Sequence, residues 1–416
     1  MKRWVCFGLM LAGLLRPASG QTNGIFADFT TSKGDFTVWL DYERVPRAVA
    51  SFVGLATGAG SWADPEGKDW QGRKFYDGSL FHRVVKGAAT NGIAIQGGGL
   101  LWRSVNTNTG VVTTNFANAG YYMPECTTNG LMHSNGVISM ANSGPNTDSS
   151  QFFIMATNWP NWDGNYTVFG HVTAGMNVVT SIAAVAVQGD GERPVTDVVL
   201  NNVAIRRVGA AAETFDISAQ GVPVAESGPM RHYAGGTNQI LEFQIDPQTG
   251  MKFCESADLR VWETTEWGLY DGPAYVWTTA VSRADLGNLY FFHLSRIRYP
   301  TPITPPASVR TRTFTFWWNT IPVLKYEATF ATNWWVQGSC RVTDGTNAPL
   351  TRSIFVGDSW SRKPYSAQLF FQDGFGREYN YSLWFNPGQP TNRFAGQWKL
   401  LTNNTWNSIT GTFTVQ

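Results

Sequence analysis

The chain opens, after its first two dozen residues, on alternation. Ile25-Phe-Ala-Asp-Phe-Thr runs apolar and polar in turn, Ser32-Lys33-Gly34 interrupts it, and Phe36-Thr-Val-Trp-Leu-Asp-Tyr resumes it. Period-two runs around a short Gly turn predict a β-hairpin. The period then changes. In Val45-Pro-Arg-Ala-Val-Ala-Ser-Phe-Val-Gly-Leu-Ala, Val49, Phe52, Val53 and Ala56 fall on one helical face, Pro46 suits a first turn, and Gly58 supplies a stop. A second helix is predicted near Met176 to Ala184 and a closing strand from Thr196 to Val208, with short strands and Gly/Asn loops between. Residues 25–208 therefore read as one unit.

Ala210-Ala-Ala-Glu-Thr reads as a linker to a second β-rich unit over 215–299, which contains Gln239-Ile-Leu-Glu-Phe-Gln-Ile and Leu289-Tyr-Phe-Phe-His-Leu-Ser-Arg-Ile. Tyr299-Pro-Thr-Pro-Ile-Thr-Pro-Pro306 reads as a stiff, extended linker. Residues 307–416 form a third unit, with runs such as Arg312-Thr-Phe-Thr-Phe-Trp-Trp and Gly411-Thr-Phe-Thr-Val. Their alternation and turn spacing predict a sandwich or an up-and-down barrel. The fold class is mainly β.

Composition agrees with that class. Charged residues are 15% of the 416, against about 25% in an ordinary soluble domain, while aromatics reach 14% and Gly numbers 43. Net charge is +1, and −2 without residues 1–20, which carry Lys2, Arg3 and Arg16 and no acid. No basic face marks a nucleic-acid binder. Lys2-Arg3, the apolar stretch Trp4 to Leu15 and the small residues Ala18-Ser19-Gly20 read as a secretory signal cleaved before Gln21. Export to the periplasm or the exterior, with no membrane span after cleavage, is the expectation. Cys126, Cys254 and Cys340 then remain, either as three thiols or with Cys254 and Cys340 paired. The five His residues show no zinc-type spacing with Cys or acids, so no metal is expected; no cofactor is expected either.

Two segments carry specific chemistry. One is Phe75-Tyr-Asp-Gly-Ser-Leu-Phe-His-Arg-Val-Val, followed by Ile95-Gln-Gly-Gly. The other is Gly136-Val-Ile-Ser-Met-Ala-Asn-Ser-Gly-Pro-Asn-Thr-Asp-Ser-Ser-Gln-Phe-Phe-Ile, followed by Trp162-Asp-Gly-Asn-Tyr-Thr-Val-Phe-Gly. Together they resemble the cyclophilin-type peptidyl-prolyl cis-trans isomerases, and Phe52-Val-Gly-Leu-Ala-Thr-Gly and Trp62-Ala-Asp-Pro resemble the bacterial branch. The resemblance implies an eight-stranded antiparallel β-barrel capped by two helices, with a groove for proline-containing polypeptides on its outer face. It implies Arg83 as the catalytic residue and Phe153 as the floor of the proline pocket. Gln96, Gln151, Ala141, Asn142 and Ile138 would join them in substrate binding. The reaction it implies needs no covalent intermediate, only preference for a twisted amide over both planar forms.

The chain also departs from that pattern. Ala88-Ala-Thr-Asn-Gly92 reads as a five-residue insertion, after which Ile93 and Ala94 stand where an aromatic and a Met are usual. Asn161 replaces a Trp, Trp162 stands at a Leu position, and Tyr166 stands where animal members often have His. Ile93, Ala94, Trp162 and Tyr166 would thus form an altered pocket rim.

Eleven of the 18 Trp follow residue 210, with pairs at Trp317-Trp318 and Trp334-Trp335. Alternation puts one of each pair outward, either under a loop or as a surface for sugars or proteins. Glu263, Glu266 and Asp271 read as turn acids rather than a hydrolytic carboxylate pair. Ala257-Asp-Leu-Arg-Val-Trp262 with Phe291-Phe-His-Leu-Ser-Arg-Ile-Arg resembles small β-sandwich modules of bacterial secreted proteins. Three functional readings follow: an exported prolyl isomerase, a peptide-binding protein without turnover, and a surface- or carbohydrate-binding protein acting through its C-terminal modules.

Overall fold

The computed structural model describes residues 23–87, 92–105, 112–189, 192–256, 263–270, 274–282, 291–300, 312–319, 325–330, 338–343, 350–363, 365–373, 377–385, 392–400 and 405–416. The signal segment, most of the 88–92 insertion, Trp334-Trp335 and Asp271 lie outside these residues, as do the side chains of Glu263, Glu266 and Cys340.

The predicted hairpin pairs Gly24–Thr31 with Gly34–Leu40, Ile25 opposite Leu40. It belongs to a nine-stranded antiparallel sheet that also contains Ser79–Leu80, Arg83–Lys86, Gly92–Gly97, Val137–Met140, Phe152–Met155, Val168–Ala174 and Val199–Val208. The strands at its two ends, Ser79–Leu80 and Arg83–Lys86, are separated in sequence by only Phe81 and His82. Two residues cannot span a flat nine-stranded sheet, whose width is about 40 Å at the usual strand spacing. The sheet therefore curls back on itself. Nine strands stand where eight were expected, because Phe81 and His82 break one segment into two short strands.

Helix Pro46–Thr57 begins at Pro46 and ends on Gly58, whose φ of 79° is the left-handed cap that Gly adopts without a Cβ clash. Met176–Ala183 is the second helix. The interior between sheet and helices is aromatic: Phe29, Phe36, Phe52, Tyr76, Phe81, Phe152 and Phe169 are all buried. Ala210–Glu213, expected as a linker, is a short helix with Ala212 buried against this core. Three Ala in a row favour helix, and the Arg207 guanidinium holds the following turn through the Phe215 carbonyl at 2.7 Å.

The next region packs two sheets. Val224–Ser227, Phe291–Arg298, Thr249–Ser256 and Glu263–Tyr270 form one, and Met230–Gly235, Asn238–Ile245 and Tyr275–Ser282 the other. Leu241, Phe243 and Ile245 from one sheet meet Phe253 and Leu294 from the other. The region docks on the first unit through the 61–69 segment: Lys252 Nζ donates to the Pro65 carbonyl at 2.8 Å, and Ser227 Oγ to Asp69 at 2.6 Å. Cys254 is buried with its Sγ against Gly67.

The last region is a closed up-and-down barrel of eight strands, each paired with the next in the chain from Thr313–Trp318 to Asn407–Val415, which pairs back with the first. Phe314, Phe316, Tyr326, Phe371, Tyr379, Tyr381, Phe394 and Phe413 fill it. Trp318 is buried inside and Trp317 is half-buried, as alternation requires.

Candidate active site

Arg83 lies in the edge strand Arg83–Lys86, directly opposite Gln96 in Gly92–Gly97, and Gln96 lies directly opposite Phe153 in Phe152–Met155. Ser139 of Val137–Met140 continues the row on the far side of Phe153. Opposed residues share a face of the sheet, so Arg83, Gln96, Phe153 and Ser139 form a transverse row. Two strand spacings separate Arg83 from Phe153, about 10 Å, a gap that an extended Arg side chain bridges in part.

Phe153 is buried, with Trp162 and Tyr166 edge-on to it at 5.2 and 5.3 Å between ring centroids. The His133 ring lies parallel to it at 5.8 Å. His133 Nδ1 and Asp163 Oδ1 are 2.8 Å apart, and His133 Nε2 and Ser139 Oγ 3.2 Å. Burial lowers the His133 pKa, and the Asp163 carboxylate partly opposes this. Ile93, Ala94, Val137, Met155 and Val168 complete the apolar cluster around the floor, with Ala141 half-buried at its side. The rim expected from Ile93, Ala94, Trp162 and Tyr166 thus assembles around one ring.

The polar side is a relay of amides. Gln96 Nε2 donates to Gln151 Oε1 at 2.9 Å, and Gln151 Nε2 donates to the Phe116 carbonyl at 2.8 Å. Phe116 stacks on His82, which burial pushes down to about 4. Asn142 turns its side chain away from the groove, donating from Nδ2 to Asn165 O at 3.1 Å and to Asp148 at 3.3 Å. Asp148 is buried and accepts from Thr167 Oγ1 at 2.6 Å, and burial raises it to about 6 despite these bonds.

One expected substrate-binding residue is misplaced. Ile138 is fully buried among the interior aromatics, opposite Ile154. It is one position out of phase with Ser139, and a single step along a strand reverses the face. Val137 and Ser139 are the residues of that strand on the Phe153 side.

Glu192, His133 and Asp163 were not expected at the site. Glu192 Oε2 accepts from Arg83 Nε at 3.1 Å and lies 3.0 Å from Nη2. Arg83 Nη1 points to Gln96 Oε1 at 3.5 Å. No local motif announces Glu192, which is 109 residues from its partner.

The loop that carries Asn142 is also held from outside its own unit. Asn146, buried and at φ 60°, donates from Nδ2 to the Phe385 carbonyl of the C-terminal barrel at 2.8 Å. Arg393 of the barrel pairs with Glu125 beside it.

An aromatic floor and an arginine thus lie in register on one face of the curled antiparallel sheet. The family profile of the cyclophilin type peptidyl-prolyl cis-trans isomerases matches residues 26–209. Peptidyl-prolyl cis-trans isomerase B of Streptomyces anulatus is 35% identical over 188 residues, which are 44% of this chain and 96% of that protein. The probable peptidyl-prolyl cis-trans isomerase A of Mycobacterium leprae is 34% identical over 190 residues, again 44% and 96%. A crystal structure of a cyclophilin type peptidyl-prolyl cis-trans isomerase from Cryptosporidium parvum superposes with a TM-score of 0.33 and 23% identity, over 44% of this chain and 98% of that one. The chain belongs to the cyclophilin-type peptidyl-prolyl cis-trans isomerase family, an enzyme family.

Proposed function

We propose that the chain isomerises Xaa-Pro bonds of exported polypeptides through Arg83, with the prolyl ring seated on Phe153. The observation that carries this reading is the row Arg83–Gln96–Phe153, one residue from each of three adjacent strands on one face. A proline packed on Phe153 presents its imide nitrogen toward the Arg83 side of the row. The barrier to rotation is about 18–20 kcal/mol and comes from amide resonance, while cis and trans differ by only about 0.5–1 kcal/mol. As the bond twists, the nitrogen regains its lone pair and becomes an acceptor. A guanidinium hydrogen can bond it only then, so the contact stabilises the twisted form selectively. The Ala141–Asn142 backbone holds the peptide on the other side of the bond, and holding one side allows the other to turn.

Exchange NMR on short Xaa-Pro peptides, with catalytic amounts of residues 21–416, tests this reading. Faster cis–trans exchange, reduced about 100-fold or more by Arg83→Ala, is the expected result. No acceleration by the folded wild-type chain across several Xaa residues would reject turnover and leave peptide binding alone. Export is tested separately, by fractionating cells that express the full chain: a processed product outside the cytoplasm supports it, and an unprocessed cytoplasmic product rejects it.

A further inference from the structure

We propose that Glu192 is a positioning residue for the isomerase reaction, whose carboxylate aims the Arg83 guanidinium along the row toward Phe153. The proposal rests on the reading that Arg83 acts on the twisting bond.

Strand Arg83–Lys86 is the end strand of its sheet, so one of its edges has no strand partner. Its inner edge pairs with Gly92–Gly97, and the N–H groups of Val84 and Lys86 point the other way. Glu192 takes both. Its main-chain carbonyl accepts from Val84 N at 3.0 Å, and its Oε1 from Lys86 N at 2.7 Å. The carboxylate is therefore oriented by the backbone of the strand that carries Arg83. Its remaining oxygen, Oε2, receives Nε and Nη2 of Arg83. Glu192 sits at φ 52° immediately before Arg193, which pairs with Gln188, and its own N–H donates to the Gly189 carbonyl at 3.2 Å, so local backbone geometry also fixes its place.

Capping the strand edge accounts for the Val84 and Lys86 bonds. It does not require the bond to Arg83, which is the element that needs a purpose. An arginine side chain has many rotamers, and nearly half of the Arg83 side chain is open to solvent. Free to wander, it would spend little time with a donor pointed at an imide nitrogen. Glu192 engages the Nε/Nη2 edge of the fork and leaves the Nη1 edge, which faces Gln96, for the substrate. A bond to one edge of a planar group fixes the direction of the other. Catalysis through an aimed donor is sensitive to such placement.

The test uses the full chain, with Glu192→Gly, which suits the positive φ, and Glu192→Gln, which keeps an oxygen for the Lys86 N–H. Xaa-Pro exchange NMR gives kcat and KM separately, and the Arg83 Nε–H and Nη signals report guanidinium rotation. Glu192→Gly is expected to lower kcat about tenfold with KM little changed, and to merge Nη signals that are distinct in the wild type. Glu192→Gln should fall between the two. Wild-type kcat and unchanged Arg83 signals in both variants would overturn the positioning role even while Arg83→Ala abolishes activity. If Arg83→Ala is itself as active as wild type, the underlying reading falls, and the two failures are distinguished.

Discussion

The isomerase unit and the C-terminal barrel use the same material differently. Both wrap antiparallel strands around an interior of Phe and Tyr. The barrel is regular in its topology: its eight strands run in chain order, from five to fourteen residues each, with one register shift between Phe355 and Ser359. The isomerase unit is broken into strands as short as two residues, with register shifts and long loops between them. The candidate site includes places where that regularity fails, the edge strand of Arg83 and the loop from Asn142 to Asn146. A filled interior makes a scaffold in both cases. Irregular backbone gives one of them side chains and peptide groups that project outward in a fixed arrangement.

The sharpest way to break the comparison is to hollow the barrel. Phe316→Ala removes a fully buried ring that touches Tyr381, Phe394 and Phe413. It should cost about 3–5 kcal/mol of barrel stability, measured by urea unfolding, while Xaa-Pro exchange at low temperature changes by no more than about twofold. Loss of activity in parallel with barrel unfolding would show that the two regions act as one.

Next in size is a pair of opposed titrations confined to the isomerase unit. Asp148, raised from 3.8 to about 6, keeps its proton in the fold. Its contribution is fully present below pH 3.8 and is lost as pH rises to about 6. His82, lowered from 6.5 to about 4, stays neutral in the fold. Its contribution is present above pH 6.5 and is lost as pH falls toward 4. Each shift corresponds to about 3 kcal/mol, and between pH 4 and 6.5 they offset one another. The opening free energy of the strand Phe152–Met155, taken from hydrogen exchange after correction for the intrinsic rate at each pH, should therefore vary little with pH in the wild type. Asp148→Asn should expose a loss of stability toward acid, and His82→Gln a loss toward neutrality. A flat profile in either variant would refute the assignment.

Smaller again is Phe153→Ala, which removes the pocket floor and should lower kcat/KM about 30-fold, near 2 kcal/mol, by exchange NMR. The smallest effect is expected from Asn146→Gly. It keeps the positive φ and deletes the side-chain amide, which donates to the Phe385 carbonyl and accepts from Glu125 N, costing about 1 kcal/mol or somewhat more. Faster proteolysis between the units, with a modest rise in KM, is the outcome to look for.

The legibility of the molecule in its sequence follows the same division. Arg83 and Phe153 are readable because each sits in a contiguous motif, Phe81-His82-Arg83 and Gln151-Phe152-Phe153. Helix Pro46–Thr57 is readable because Pro46 and Gly58 mark both ends. Ile138 is misread because facing depends on strand parity rather than on residue identity, and one step from Ser139 turns its side chain into the interior. Glu192 and His133 are invisible because their partners are tertiary and no periodicity encodes them. In the barrel the aromatic alternation announces strands, but whether they close into a ring or split into two sheets depends on a pairing, Thr313–Trp318 with Asn407–Val415, made across almost the whole region.

The bond from Asn146 to the Phe385 carbonyl joins residues 239 positions apart. A ribosome adds about 5–20 residues per second, so about 10–50 s separate the synthesis of the two partners. A chain emerging from its N-terminus can build the isomerase sheet, its aromatic floor and the Arg83 edge before any of the barrel exists. During that interval the loop from Asn142 to Asn146 lacks the hydrogen bond that ties it to the barrel. The tie between the two regions is thus among the last parts of this neighbourhood that a growing chain can complete.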